Sequence, residues 1–291
     1  MTEARLQTQS SLTAKIVCYM RALSYLEVGS PIANDNLAEL FLSPKVRERI
    51  QSPDARNEIL VHESLPANYS YITARTSHLD RCCEEAIQRG VEQIVILGAG
   101  YDSRAYRFAE ESGIARFFEV DAPTTQEAKK KYLGYAGITT PESLTYVPTN
   151  FNEQSLEDTL LPAGFKPSLQ TLFLWEGVTY YISAEAVEQT LRFVRGYGAP
   201  GSQLAFDWMV EEAVKGDHTY HGASLAFAAV SAAGEPFVFG IPEGTIQDYL
   251  AHHGFDLLEH YPPHRMQATY LDERFPQMYG FMHNSVAKVQ S

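Results

Sequence analysis

The stretch QIVILGAGYDSRAYRFAEESGIARFFEVD, residues 93–121, constrains this chain more than any other. An apolar run breaks at Gly98 and Gly100, a helical segment follows, and a second apolar run ends in Asp121 about twenty positions on. That is the pattern of a βαβ unit, in which two parallel strands need a crossover between them. A strand ending in Gly98-Ala99-Gly100 lets the backbone turn tightly and approach a ligand with no Cβ in the way, while the following helix points N–H groups at it. The carboxylate closing the next strand, Asp121, can accept both hydroxyls of a ribose. Two successive strand ends therefore suit a nucleoside.

The alternation of short apolar runs with amphipathic segments continues to the end of the chain. Strands are expected at 93–97, 116–120, 144–147, 171–175, 203–207, 256–261 and 281–289. The clearest helix is SAEAVEQTLRFVRGYG, with Ser183 as its cap and Gly196 and Gly198 as its stop. The expected fold is α/β, a Rossmann-like core with a mostly parallel seven-stranded sheet. Before residue 92 the helical pattern is broken by Pro31, Pro44, Pro53 and Pro66, which predicts a cap of several short helices. A glycine- and proline-rich stretch, 211–243, follows the fifth strand and reads as an insertion that can cover a site. With 291 residues, 45% of them hydrophobic, the chain is expected to form one domain: a cap at 1–91 and a core at 92–291.

Charge excludes one class of partner. The 36 acidic and 23 basic residues give a formal charge of −13, the wrong sign for a phosphate backbone, so no nucleic-acid partner is expected. No window reaches the roughly 18 apolar residues of a membrane span, and residues 1–9 are too polar for a signal peptide. A cytoplasmic protein without a membrane partner is the expectation, acting as a monomer or homodimer. The three cysteines, Cys18, Cys82 and Cys83, fit reduced buried thiols better than disulfides or a zinc site. His218 and His221 have a spacing that can ligate a metal, but no third ligand accompanies them, and no metal is expected.

The loop also narrows the ligand. A dinucleotide fingerprint needs glycine at position 103, where Ser103 stands, and Tyr101, Asp102 and Arg104 crowd the place of a pyrophosphate. A ligand with a ribose and no pyrophosphate fits better, and S-adenosylmethionine is the common one. Glycines also serve ordinary strand-to-helix turns, so other residues must decide.

Those residues are SSLTAKIVCYMRAL, PIANDNLAELFL, ARTSHLD, ILGAGYDSRAYRF, FFEVDAP, TNF and WEGVTYYIS, in this order between about residues 11 and 183. Together they resemble the leucine carboxyl methyltransferase family, a branch of the class I S-adenosylmethionine-dependent methyltransferases. The resemblance implies that Arg75 holds the cofactor's methionyl carboxylate, as a guanidinium can with paired charge-assisted bonds. It implies Gly98, Ala99 and Gly100 against the methionyl part and ribose, with Asp121 on the ribose hydroxyls. Glu119 is the less suited partner by strand alternation.

Where the family usually has an aspartate for the adenine amino group, this chain has Asn150, which offers an uncharged carbonyl oxygen. Phe151 beside it is expected either on the adenine or in the core. Glu176, closing an apolar run, needs a cation or donors if buried. The cofactor's ammonium is one such partner, and a structural ion pair with Arg75 or Arg104 is the other.

Methyl transfer from a sulfonium is an in-line displacement, so positioning carries most of the rate. Tyr19, Tyr25, Trp208, Tyr220 and His221 are candidates to line the acceptor, between the N-terminal helices and the insertion. The family's eukaryotic namesakes methylate the C-terminal carboxylate of a protein phosphatase subunit; similar bacterial and fungal proteins act on small molecules such as polyketides. The compact length favours O-methylation of a small acid or hydroxylated metabolite in specialised metabolism. A protein carboxyl methyltransferase, a nicotinamide-dependent oxidoreductase and a non-catalytic cofactor-binding protein stay open as alternatives. No general base is assigned.

Overall fold

The computed structural model describes residues 12–29, 32–60, 66–151 and 153–290. Residues 1–9 and Pro31, both used above, lie outside the described residues.

The N-terminal cap holds α1 (Leu12–Glu27), α2 (Pro44–Ile50), α3 (Pro53–Glu58) and α4 (Pro66–Gln88). The core follows as β1 (Gln93–Leu97), α5 (Arg104–Arg107), β2 (Arg116–Asp121), α6 (Pro123–Tyr135), β3 (Leu144–Pro148), α7 (Leu156–Leu160) and β4 (Thr171–Trp175). It continues with α8 (Ala184–Tyr197) and β5 (Gln203–Met209), then the insertion helices α9 (Glu211–Val214) and α10 (Ala223–Ala232). The last elements are α11 (Ile246–His252), β6 (Phe255–Tyr261), α12 (Pro263–Tyr270) and β7 (Met282–Val289).

The prolines that interrupt the cap also start its helices. Pro44, Pro53 and Pro66 each stand at the first position of a helix, where the missing N–H is not needed and φ is already helical. Ser43 and Ser52 cap two of those starts. The expectation of short helices fails at α4, which runs 23 residues because no proline follows Pro66 within it. Thr73 and Thr76 turn their hydroxyls onto the carbonyls of Tyr69 and Ile72, both at 2.8 Å, so this helix can be buried without orphaned polar atoms.

The seven strands form one sheet in the order β3-β2-β1-β4-β5-β7-β6. β1 to β5 pair in parallel, and β7 enters antiparallel between β5 and β6. From β1 the chain builds outward to β3, then returns to place β4 on the other side of β1. The carboxyl ends of β1 and β4 therefore part at a topological switch point, where open α/β sheets bind ligands. β1 and β4 are buried throughout, as strands covered on both faces must be. One face packs Ile94, Ile96, Phe117 and Ala205 against Leu79, Cys83 and Ala86 of α4; the other packs Leu97, Phe173 and Phe206 into the larger core.

The C-terminal stop of α8 is Gly198; Gly196 lies inside the helix. The insertion returns to the sheet through a parallel bridge between Val210 and Ile241 and reaches β4's end through Val238 N–H on Tyr180 O, at 2.8 Å. All three cysteines are free and buried, and burial pushes the Cys18 thiol up to about 11, so these thiols are inert. Among the described residues no helix is long and apolar enough to cross a membrane.

Candidate functional site

Gly98 and Gly100 adopt φ of +69° and +51°, the left-handed region that side chains disfavour. A Cβ at position 98 would lie 2.6 Å from Val178 Cγ2, so the glycine also lets the loop lie against the chain leaving β4. The amides of Gly98 and Ala99 both donate to Val120 O, which ties the loop to the end of β2. The helix after the loop is a single turn, and Asp102 Oδ1 takes the Arg104 amide at 2.7 Å. The loop thus presents its own backbone rather than a long helix N-terminus.

Asp121 leans onto that loop. Its Oδ2 accepts from Gly100 N at 2.5 Å and its Oδ1 from Ala122 N at 2.6 Å. Burial pushes the carboxyl above its usual range, and those two amides work in the opposite direction. Glu119 is committed elsewhere: buried, with Oε2 2.5 Å from Lys129 Nζ, itself fully buried.

Behind the loop runs a continuous buried chain of charges. Arg21 meets Asp35 at 3.3 Å, Asp35 meets Arg107 at 3.7 Å, and Arg107 meets Asp80 at 2.7 Å. Asp80 pairs with Arg104 at 2.7 Å, and Arg104 holds Asp102 at 2.5 Å and Glu176 at 2.7 Å. Glu176 reaches Arg75 at 3.0 Å, and Arg75 reaches Asp207 at 2.7 Å. These groups come from α1, the segment before α2, α4, the glycine loop, α5 and the ends of β4 and β5. Four guanidinium groups face five carboxylates, an excess of one negative charge. Burial works to raise the Glu176 carboxyl, but Arg104, Arg75 and Arg21 hold it down to about 2.

The ion pair expected as the alternative for Glu176, with Arg75 or Arg104, forms with both arginines in this structure. Arg75 is 2% exposed, with Nε on Glu176 and Nη1 on Asp207 and Tyr180. Among the described residues its Nη2 makes no hydrogen bond.

The structure therefore brings Arg75, Gly98, Ala99, Gly100, Asp121 and Glu176 together at the ends of β1, β2 and β4. Asn150 follows β3, in a turn whose carbonyl accepts from the amides of Glu153 and Gln154. Phe151 is 55% exposed, which rules out the core placement expected as one of its two options. Trp208 is a correction. It is fully buried on the sheet face opposite Arg75, donates to Ser285 Oγ at 3.0 Å, stacks on His260 and packs at a tilt against His283. Strand alternation turns it there: its neighbour Asp207 faces Arg75, so Trp208 cannot line the same space. Tyr220 bonds Glu243 at 3.0 Å, and His221 O accepts from Gly280 N at 3.0 Å, on the insertion's border with β7. Tyr19 is half-buried and Tyr25 is exposed on α1.

Residues that sequence reasoning missed include Arg21, Asp80, Lys129 and, above all, Asp207. The signal for Asp207 was present: a carboxylate within LAFDWMV must find donors once the strand is buried, the same argument that singled out Glu176.

The rings of Tyr180, Tyr181, Phe237 and Phe227 extend from the Arg75–Asp207 pair into the insertion, with centroids 4.9 to 5.3 Å apart. Thr13, at the start of α1, bonds Glu235 of the insertion through its hydroxyl and through its amide at 3.3 Å. Two open clefts lie elsewhere. One of about 710 Å³ is lined by His264, Gln267, Asp272 and His283, the other of about 760 Å³ by Arg192, Arg195 and Tyr249; neither includes Arg75, the glycine loop, Asp121 or Glu176. Among the described residues no group of three or more His, Cys, Asp or Glu side chains could hold a metal.

The chain is similar in sequence and in fold to known proteins. A provisionally assigned S-adenosyl-L-methionine-dependent methyltransferase, YktD of Bacillus subtilis strain 168, is 30% identical over 208 residues, 72% of this chain and 68% of its own. The crystal structure of a DUF574 family protein from Streptomyces avermitilis superposes with a TM-score of 0.59 at 15% identity, covering 98% of this chain and all of that one. That of a provisionally assigned methyltransferase from Thermobifida fusca gives 0.58 at 14% identity, covering 94% of each chain. At such identity these two likenesses speak for the fold alone. The leucine carboxyl methyltransferase model matches residues 14–195, a span holding Arg75, the glycine loop, Asp121 and Glu176, and the chain belongs to that family.

Proposed function

We propose that this chain transfers a methyl group from S-adenosylmethionine to an oxygen, carboxylate or hydroxyl, of a small-molecule acceptor. The methyltransferase class and its donor come with family membership. The oxygen and the small acceptor are our reading.

The observation that carries it is the Arg75–Glu176 pair beside the glycine loop, inside a charge chain with one negative charge in excess. The donor carries a carboxylate, an ammonium and a sulfonium, a net charge of +1, and such a ligand offsets the excess. A dinucleotide brings two pyrophosphate charges and worsens it. The residues fit the donor part by part. Arg75 would take the carboxylate, Glu176 the ammonium, Asp121 the ribose hydroxyls, and the positive-φ glycines leave the loop backbone bare. Asn150 and Phe151, which follow β3, would meet the base.

When bound, the donor supplies a methyl group already activated on a positive sulfur. The chain's residues then orient and exclude water. A carboxylate acceptor is ionised at neutral pH and asks for no general base. Enclosure supports a small acceptor: the Thr13–Glu235 contact joins α1 to the insertion, and the aromatic rings from Tyr180 to Phe227 supply apolar contact. A peptide tail calls for an open cleft.

The test is to incubate the protein with methyl-labelled donor and an extract, then separate macromolecules from small molecules. Label in small molecules, released by base from an ester or kept as an ether, is expected. Label in protein, or on nitrogen, overturns this reading.

A further inference from the structure

We propose that Asp207 is a positioning residue that holds both charged halves of the donor's amino-acid grip. The proposal rests on the reading of Arg75 and Glu176 just given. Asp207 lies two residues before the end of β5 and is fully buried.

Its two oxygens gather four donors. Oδ2 accepts from Arg75 Nη1 at 2.7 Å, Tyr71 OH at 2.6 Å and Tyr180 OH at 3.0 Å. Oδ1 accepts the backbone amide of Gly177 at 2.7 Å. Gly177 directly follows Glu176, so one carboxylate fixes the cation through its guanidinium and the anion through its peptide. The fit is close: a Cβ on Gly177, at φ +70°, would stand 3.4 Å from Arg75 Nη1.

The arrangement matters when Glu176 turns to a ligand ammonium. Arg75 then gives up its Nε partner, and with no other anchor its long side chain would be free to swing. Asp207 keeps Nη1 in place, so the Nε and Nη2 edge still faces the ligand as a preset fork for a carboxylate. Tyr71 and Tyr180 complete the lock. Burial and the Asp207 charge raise both phenols well above their ordinary range, so they stay protonated as donors. An asparagine cannot replace Asp207, because its amide nitrogen would face a donor instead of accepting from one.

The experiment compares two ligands on Asp207→Asn. S-adenosylhomocysteine has the amino-acid moiety, and 5′-methylthioadenosine has the adenosyl part without it. Calorimetry is expected to show S-adenosylhomocysteine weakened about tenfold or more, about 1.4 kcal/mol, with methylthioadenosine within about twofold of wild type. A lower melting temperature with both affinities unchanged means Asp207 only stabilises the fold, and the proposal falls. Equal weakening of both ligands overturns it as well. If Asp207→Asn does not fold, Tyr180→Phe and Tyr71→Phe each remove one bond of the lock and should show the same selectivity on a smaller scale. Arg75→Lys separates the two levels. Selective loss in Arg75→Lys without loss in Asp207→Asn sinks this proposal alone, whereas no loss in Arg75→Lys sinks the underlying grip.

Discussion

Gly100 donates its amide proton to Asp121 Oδ2 at 2.5 Å, across the ends of the first two strands. The contact sets the height of the glycine loop over the sheet and orients the carboxylate before any ligand arrives. Each carboxylate oxygen has a second lone pair, so Asp121 can keep its two amide bonds and still accept ribose hydroxyls.

Asp121→Ala should therefore weaken S-adenosylhomocysteine strongly, since each hydrogen bond to a charged group is worth about 1.5–3 kcal/mol. It also strands the Gly100 amide. Calorimetry decides: an affinity unchanged from wild type would move the ribose to another part of the molecule.

Gly98 offers a two-part test. Gly98→Ala adds a Cβ in the left-handed region, at about 1–2 kcal/mol, and drives it into Val178. Removing the obstacle in Gly98→Ala/Val178→Ala should recover only the steric share. Melting temperatures of the two variants and wild type measure the shares; full recovery in the double variant would mean that φ carries no strain there.

Much of this was legible in the sequence because it depends on period and on glycine. All seven strands follow from alternating apolar runs, and each of the seven lies within about two residues of its expected bounds. The loop and Asp121 follow from spacing. The charge chain was not legible, since Arg21, Asp35, Asp80 and Arg107 come from segments that meet only after folding. Trp208 shows the converse failure. An aromatic residue near an insertion suggests a ligand wall, but the strand's two-residue period sends it to the opposite face. The length of α4 is hidden in the sequence because proline, a breaker inside a helix, here starts one.

Acid should loosen the fold in two stages. Burial holds His78 and His283 down at about 3, against an ordinary 6.5, so both are neutral in the folded chain. Their contribution is complete above about 6.5 and is lost as pH falls toward 3. Glu176, held near 2 against an ordinary 4.5, contributes fully above about 4.5 and loses this as pH falls toward 2. Chemical denaturation from pH 8 to 3 should show stability already falling below about 6.5. In Glu176→Gln, Arg75 and Arg104 lose a buried partner, at about 3–5 kcal/mol near neutrality, and the lower stage should flatten. A stability constant down to pH 5 would contradict the histidine assignment.

The Glu119–Lys129 pair makes the opposite prediction with pH. Burial pushes the Glu119 carboxyl up to about 7, and Lys129, 2.5 Å away, draws it back without restoring its ordinary 4.5. A raised folded-state value favours the neutral acid, so this contribution is complete below about 4.5 and is lost as pH rises toward 7. Lys129→Met removes the counter-charge and leaves a buried carboxylate, which should destabilise by about 3–5 kcal/mol at pH 8 and by clearly less at pH 5. Glu119→Gln strands the ammonium instead and should also destabilise. Combined, the two substitutions leave no buried charge, so the double variant should be more stable than the sum of the single losses allows. Urea denaturation of the four proteins at both pH values measures the coupling. Additive losses independent of pH would show that the two side chains do not act as a buried ion pair.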